Sequence, residues 1–155
     1  MKQLLSFSNN DAKFEDVIVA GSRDFASEEN YALLKRTIDG FIAKNGKPAR
    51  FISGGARGAD ALGERYATDH QIDIVRFIPN WDKFGKKAGM LRNRDMAKSA
   101  DALIVFWDGQ SKGTRNMIEI AYNLRLEVEL VLYENNNNNA GLRIVSAHQQ
   151  LFASL

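Results

Sequence analysis

Phe51-Ile52-Ser53-Gly54-Gly55-Ala56-Arg57-Gly58-Ala59-Asp60 is the stretch on which the fold turns. A short apolar run breaks into glycines and passes directly into a helical pattern carrying Leu62 and Tyr66. That order spells strand, tight loop, helix. Upstream, Val17-Ile18-Val19-Ala20 ends in Gly21-Ser22-Arg23, a run apolar enough for a strand buried on both faces. Ser27 follows as an N-cap, with Glu28 and Glu29 in the first turn and Tyr31, Leu34, Ile38, Phe41 and Ile42 on one helical face. Asn45-Gly46-Lys47-Pro48 stops that helix.

Downstream, residues 72–78 read as a third strand closed by Pro79, residues 81–88 as an irregular loop, and a helix runs from about Gly89 to Ser99. Residues 102–107 form a fourth strand. Residues 108–114 make a second glycine-containing loop, before a helix with Met117, Ile120, Ala121 and Leu124 on one face. Residues 128–133 give a fifth strand. Uniformly apolar strands alternating with helices predict a Rossmann-like, three-layer α/β/α domain. Right-handed crossovers favour a mostly parallel five-stranded sheet of order 3-2-1-4-5, with its ligand crevice where the first and fourth strands meet. The expected organisation is a polar leader over residues 1–15, the domain over 16–134, and an Asn-rich linker with a C-terminal extension over 135–155. Within that extension, residues 142–145 could add an edge strand and 147–155 a short helix.

Composition narrows the chemistry. At 155 residues one core suffices, and the absence of cysteine excludes disulfides, thiolate nucleophiles and Cys-based metal sites. No apolar run approaches the roughly 20 residues of a membrane span, and residues 1–5 are too short on apolar length for a signal peptide. A cytoplasmic protein without membrane partner is expected. His70 and His148 are isolated, so neither a triad nor a metal site is expected, and no cofactor is called for. The net charge of +2 does not argue for nucleic acid, but Lys83, Lys86, Lys87, Arg92, Arg94 and Lys98 cluster with only Asp82 and Asp95 among them. That bias suits phosphate or a solvated surface.

Three loops at strand ends carry the candidate ligand site. Gly54, Gly55, Ala56, Gly58, Ala59 and Asp60 open onto a helix N-terminus, where free N–H groups attract an anion. This is neither a Walker A loop nor the dinucleotide fingerprint. Asp108, Ser111, Gly113 and Thr114 repeat the arrangement. Gly21, Ser22 and Arg23 add a guanidinium able to clamp phosphate. Trp81 could stack a base or plug the core, whereas Trp107 reads as core. Asp60 could equally stabilise its own loop.

Gly21-Ser22-Arg23-Asp24-Phe25, residues 52–60, Trp81, Lys83, Gly85, Lys86, Ala88-Gly89, Arg92-Asn93, Met96, Ala100-Asp101, residues 106–109, Ser111, Gly113-Thr114 and Met117-Ile118 resemble the YspA/YpsA-related branch of the SLOG superfamily. The resemblance implies a Rossmann-like fold, a site for a nucleotide or nucleotide-derived small molecule that includes Arg92 and Asn93, and a homodimer. Some relatives are phosphoribohydrolases, others are proposed sensors, and a more distant one handles single-stranded DNA. Catalytic candidates for an N-glycosidase alternative are Arg92, Asp60, Asp108 and Glu64. The hydrolytic relatives place a glutamate three residues after the glycine-threonine pair. Met117 stands there, and Glu119 is rotated by about 200° around the helix. Binding is therefore the leading reading, with hydrolysis and single-stranded nucleic-acid binding as alternatives.

Overall fold

The computed structural model describes residues 12–136 and 141–146. The elements run β1 (Asp16–Gly21), α1 (Glu28–Asn45), β2 (Arg50–Ser53), α2 (Ala59–Asp69), β3 (Asp73–Arg76), α3 (Trp81–Phe84), a 3₁₀ turn (Gly85–Lys87), α4 (Ala88–Lys98), β4 (Ala102–Trp107), α5 (Lys112–Asn123), β5 (Glu127–Asn136) and β6 (Gly141–Ser146). The sheet order is β3-β2-β1-β4-β5-β6, in which the five-stranded 3-2-1-4-5 core is parallel and β6 adds antiparallel to β5. The edge strand expected over 142–145 is this β6.

Alternation along each strand builds the two halves of the core. Val17 and Val19 of β1, with Phe51, Ile104 and Phe106, face Leu34, Ile38 and Phe41 of α1 and Tyr66 of α2. Ile18 and Ala20, with Ile52, Leu103, Val105 and Trp107, face Met96 of α4 and Met117 and Ile118 of α5. Every residue of β4 is buried because helices cover both of its faces. Burying each large aliphatic side chain is worth about 1.5–3 kcal/mol, so β1 and β4 anchor the fold. Phe14, ahead of β1, also packs on this core, its ring 5.8 Å from that of Phe41.

Three expectations need correction. The strand read over 72–78 is only Asp73–Arg76, a short, largely exposed edge strand that ends as the Phe77 N–H turns to the Ser53 carbonyl. Residues 81–88 are not irregular. Asn80 caps the turn Trp81–Phe84 by accepting from the Lys83 N–H (3.0 Å), and a 3₁₀ turn leads into α4. Finally, α5 starts at Lys112, so Gly113 and Thr114 lie in its first turn rather than in a loop. β5 continues through Asn136, carrying the first asparagines of the polar tract. Of the leader expected over 1–15, residues 1–11 lie outside the described residues, as does the helix expected over 147–155, while Lys13 and Glu15 are bonded to the fold through the Asn45 carbonyl and the Ala49 N–H. Among those described, no helix is long and apolar enough to cross a membrane.

Candidate functional site

β1 and β4 are neighbours, yet their following helices leave on opposite faces of the sheet, which opens a crevice at their C-terminal ends. A cleft of about 240 Å³ occupies it, walled by Gly21 and Arg23 after β1, Ala56 and Asp60 before α2, Trp81, Lys86, Gly89 and Met90, Arg92, Asn93 and Met96 of α4, and Ser111, Gly113, Thr114, Asn116 and Met117 around α5.

Glycine makes the first loop possible at two points. Gly58 holds φ at +83°, and a Cβ there would stand 2.6 Å from Arg23 Cα, so the β1 and β2 loops pack backbone to backbone. At Gly54 a Cβ would come within 2.6 Å of Arg92 Nη1 and 2.8 Å of Asp60 Oδ2. Its absence lets Arg92 lie across the loop and donate from Nη1 to the Gly54 carbonyl (2.6 Å) and the Phe77 carbonyl (3.4 Å). Arg92 Nε donates to Asn93 Oδ1 (3.0 Å), and buried Asn93 donates onward to Asn116 Oδ1 (3.0 Å) and the Gly113 carbonyl (3.4 Å). Arg92 is thus tied to the loop before α2 and to the first turn of α5.

Electrostatics set the character of the cleft. Burial lowers the pKa of Arg92, opposed by the charge of Asp60 and assisted by the positive charge of Arg23. Neither arginine forms an ion pair among the described residues. Two cations that repel one another beside a helix N-terminus form a wall that an anion would relieve. Asp60, only 5% exposed, accepts the Ala56 N–H at Oδ2 (3.2 Å). Burial pushes its pKa up to about 6, against the pull of the Ala56 N–H, Arg92 and the Gly21 N–H, and with the help of Glu64.

The second loop is held by its own side chains. Asp108 Oδ1 accepts the N–H groups of Gln110 and Ser111, both at 2.8 Å, and the Asp108 N–H donates to Ser22 Oγ (3.1 Å). Ser111 caps α5, accepting from the Thr114 N–H (3.3 Å) and hydroxyl (2.9 Å).

The structure brings Gly21, Arg23, Ala56, Asp60, Trp81, Arg92, Asn93, Ser111, Gly113 and Thr114 together on the cleft wall. Buried Ser22 instead staples the β1 loop to Asp108, while Gly54, Gly55, Gly58 and Ala59 shape the loop behind the wall. Asp108 faces a shallower hollow with Arg23, Asp24 and Arg57. Glu64 is not on the wall. It accepts the Ser53 hydroxyl (2.6 Å) and a forked pair of bonds from Arg76, which lowers its pKa. Trp81 is 52% exposed and does not plug the core, whereas Trp107 is buried and donates Nε1–H to the Ser111 carbonyl (3.0 Å). A Cβ at Gly113 would meet nothing within 4 Å, so close approach of the protein backbone does not require glycine there. Met117 lies on the wall, and Glu119 is exposed and paired with Arg115 (2.8 Å).

Asn116 and Met90 line the cleft without having been singled out in the sequence. Asn116 stands three residues after Gly113, on the same face of α5, and that spacing could have found it. Met90 carries no polar signature.

Residues 16–84 match the model of the YspA, cpYpsA-related SLOG family. This bears out the resemblance for β1, the first glycine loop and the segment through Trp81 and Lys83, while the motifs from Gly85 onward lie beyond the matched residues. "Gene 61 protein" of Mycobacterium phage D29 is 38% identical over 76 residues, covering 45% of this chain and 61% of its own length. The X-ray structure of DNA processing protein A (DprA) from Streptococcus pneumoniae superposes with a TM-score of 0.60 at 21% identity, over 76% of this chain and 50% of that one. The chain therefore spans less than two-thirds of either protein. The DprA likeness supports the Rossmann-like fold.

Proposed function

We propose that this chain, whose residues 16–84 match the YspA, cpYpsA-related SLOG family, binds a nucleotide or nucleotide-derived small molecule in the cleft between β1 and β4. One juxtaposition carries the reading. The guanidinium groups of Arg23 and Arg92, neither in an ion pair among the described residues, share a cleft with the start of α5 and the exposed indole of Trp81. The cationic wall suits a phosphate, and the indole offers a flat apolar face to a base.

Binding without turnover is the reading we favour, as a sensor, sink or carrier. Of the carboxylates Asp60, Glu64, Asp108 and Glu119, Asp60 alone stands on the cleft wall. Glu64 is committed to Arg76, Asp108 to its own loop and Glu119 to Arg115. Calorimetric titration with the common nucleoside 5′-monophosphates and diphosphates tests the reading. At least one should bind, and Arg23→Ala and Trp81→Ala should each weaken it roughly tenfold, the loss of one charged hydrogen bond or one stacked ring. No binding across the panel would overturn the site, and release of free base from a bound monophosphate would replace the binding reading with the N-glycosidase one.

A second reading has its own observation. Trp81 and Phe84 are both exposed beside Lys83, Lys86 and Lys87, a pattern of rings and cations suited to single-stranded nucleic acid. It requires oligonucleotide affinity that falls steeply with salt and is lost in a Lys83→Ala/Lys86→Ala variant. A cytoplasmic homodimer is the setting we infer for either reading, and sedimentation of the full chain tests the dimer.

A further inference from the structure

A carboxylate on the wall of an anion site is a contradiction unless it can be neutralised. Asp60 is that carboxylate. It belongs to the first turn of α2 and is almost fully buried, yet it borders the same cleft as Arg23, Arg92 and Lys86. We propose that Asp60 takes up a proton when an anionic ligand enters the cleft, so that occupancy of the site is proton-linked and favours anions over neutral ligands most strongly in mildly acidic conditions. The inference rests on the nucleotide-binding reading and concerns how that site discriminates and is regulated.

The surroundings of Asp60 are finely opposed. The Ala56 N–H from the β2–α2 loop, Arg92 from α4 and the Gly21 N–H from the end of β1 favour its charged form. Burial and Glu64, one turn along α2, oppose it. Arg23 and Lys86 border the cleft from the β1–α1 loop and the 3₁₀ turn. The balance holds the pKa of Asp60 up at about 6, within reach of a modest perturbation. A phosphate charge several ångströms away in a partly desolvated cleft raises a carboxyl pKa by on the order of one unit or more. Around neutral pH the acid then gains a proton as the anion binds, and linkage makes the anion bind more tightly as pH falls. No such coupling acts on an uncharged nucleoside.

A phosphate monoester has its own ionisation near pH 6, which would blur the effect. The probes are therefore the 5′-methyl phosphate esters of adenosine, guanosine, cytidine and uridine, which carry a single charge from pH 5 to 8. Calorimetry with the full chain, in two buffers of different ionisation enthalpy, measures affinity and proton uptake together. Wild-type affinity should rise roughly tenfold from pH 8 to pH 5, with net uptake of a fraction of a proton per ligand near pH 7. Asp60→Asn should bind at pH 8 about as tightly as the wild type does at pH 5, with no pH dependence. Parallel pH profiles for the two proteins, or weaker binding by Asp60→Asn throughout, would overturn the proposal while leaving the site standing. Absence of binding by both proteins at every pH would overturn the proposal and the site together. Where Asp60→Asn does not fold, the wild-type proton count decides alone, and zero uptake refutes the coupling.

Discussion

Arg92 is held by contacts that a lysine cannot reproduce. Two of its nitrogens reach the Gly54 and Phe77 carbonyls and Asn93 Oδ1, a planar fork spanning three segments of chain. Arg92→Lys keeps the charge and loses the fork, so it should cost about 1–2 kcal/mol of stability in denaturant unfolding and weaken nucleotide binding roughly tenfold. Asp60 works in the other direction. Its folded pKa of about 6 lies above the ordinary carboxyl value of 3.8, so the folded state holds more protons between those values. Stability is therefore greatest below about pH 4 as far as this group is concerned and falls as pH rises through 6. Asp60→Asn removes that slope, so its stability relative to the wild type should be greater at pH 7.5 than at pH 4 by on the order of 1–3 kcal/mol in paired denaturation curves. Glu64→Gln should leave nucleotide affinity close to the wild-type value in titrations at pH 8, where Asp60 is ionised with or without the Glu64 charge, because the side chain lies outside the cleft. Sequence placed Asp60 and Glu64 together as carboxylates near a glycine loop. Four residues of helix move the second group about 6 Å along the axis and into reach of Ser53 and Arg76, a displacement that residue type does not encode.

Elements were legible where their flanks punctuate them. Ala102–Trp107 lies between two aspartates, and both serve the ends of β4: Asp101 Oδ2 accepts the N–H groups of Glu15 and Asp16 (3.1 Å each), while Asp108 folds the next loop. Ser27 begins α1 as expected, although Asn30 rather than an acid completes the capping box by accepting from the Ser27 N–H (3.1 Å). The single turn α3 was illegible because four residues with no buried face leave no apolar period. At α5 the cap is the Ser111 hydroxyl, and Ser111→Ala should lower stability by about 1 kcal/mol, read as a shift in the thermal midpoint. The same change frees the Thr114 hydroxyl at the edge of the cleft.

Across the whole molecule, the order of strands was readable because a right-handed parallel sheet of five apolar strands admits few arrangements. That topology alone locates the crevice between β1 and β4. What it does not supply is which side chains turn inward. Asn116 and Met90 reach the wall through helix rotation and through the α3–3₁₀ connection that the sequence reading missed. The antiparallel β6 extends the sheet beyond β5, on the side remote from the β3 edge and separated from the cleft by a full strand. The central claim is that a nucleotide occupies this cleft, and the methionines offer the most direct view of it. Met90, Met96 and Met117 all line the wall, leaving only Met1, which lies outside the described residues, among the four methionines of the chain. In a methyl-labelled sample titrated with the nucleoside monophosphates and diphosphates, the resonances of Met90, Met96 and Met117 should shift together and saturably with at least one of them. A folded protein in which none of the three responds to any nucleotide would contradict the assignment of the site.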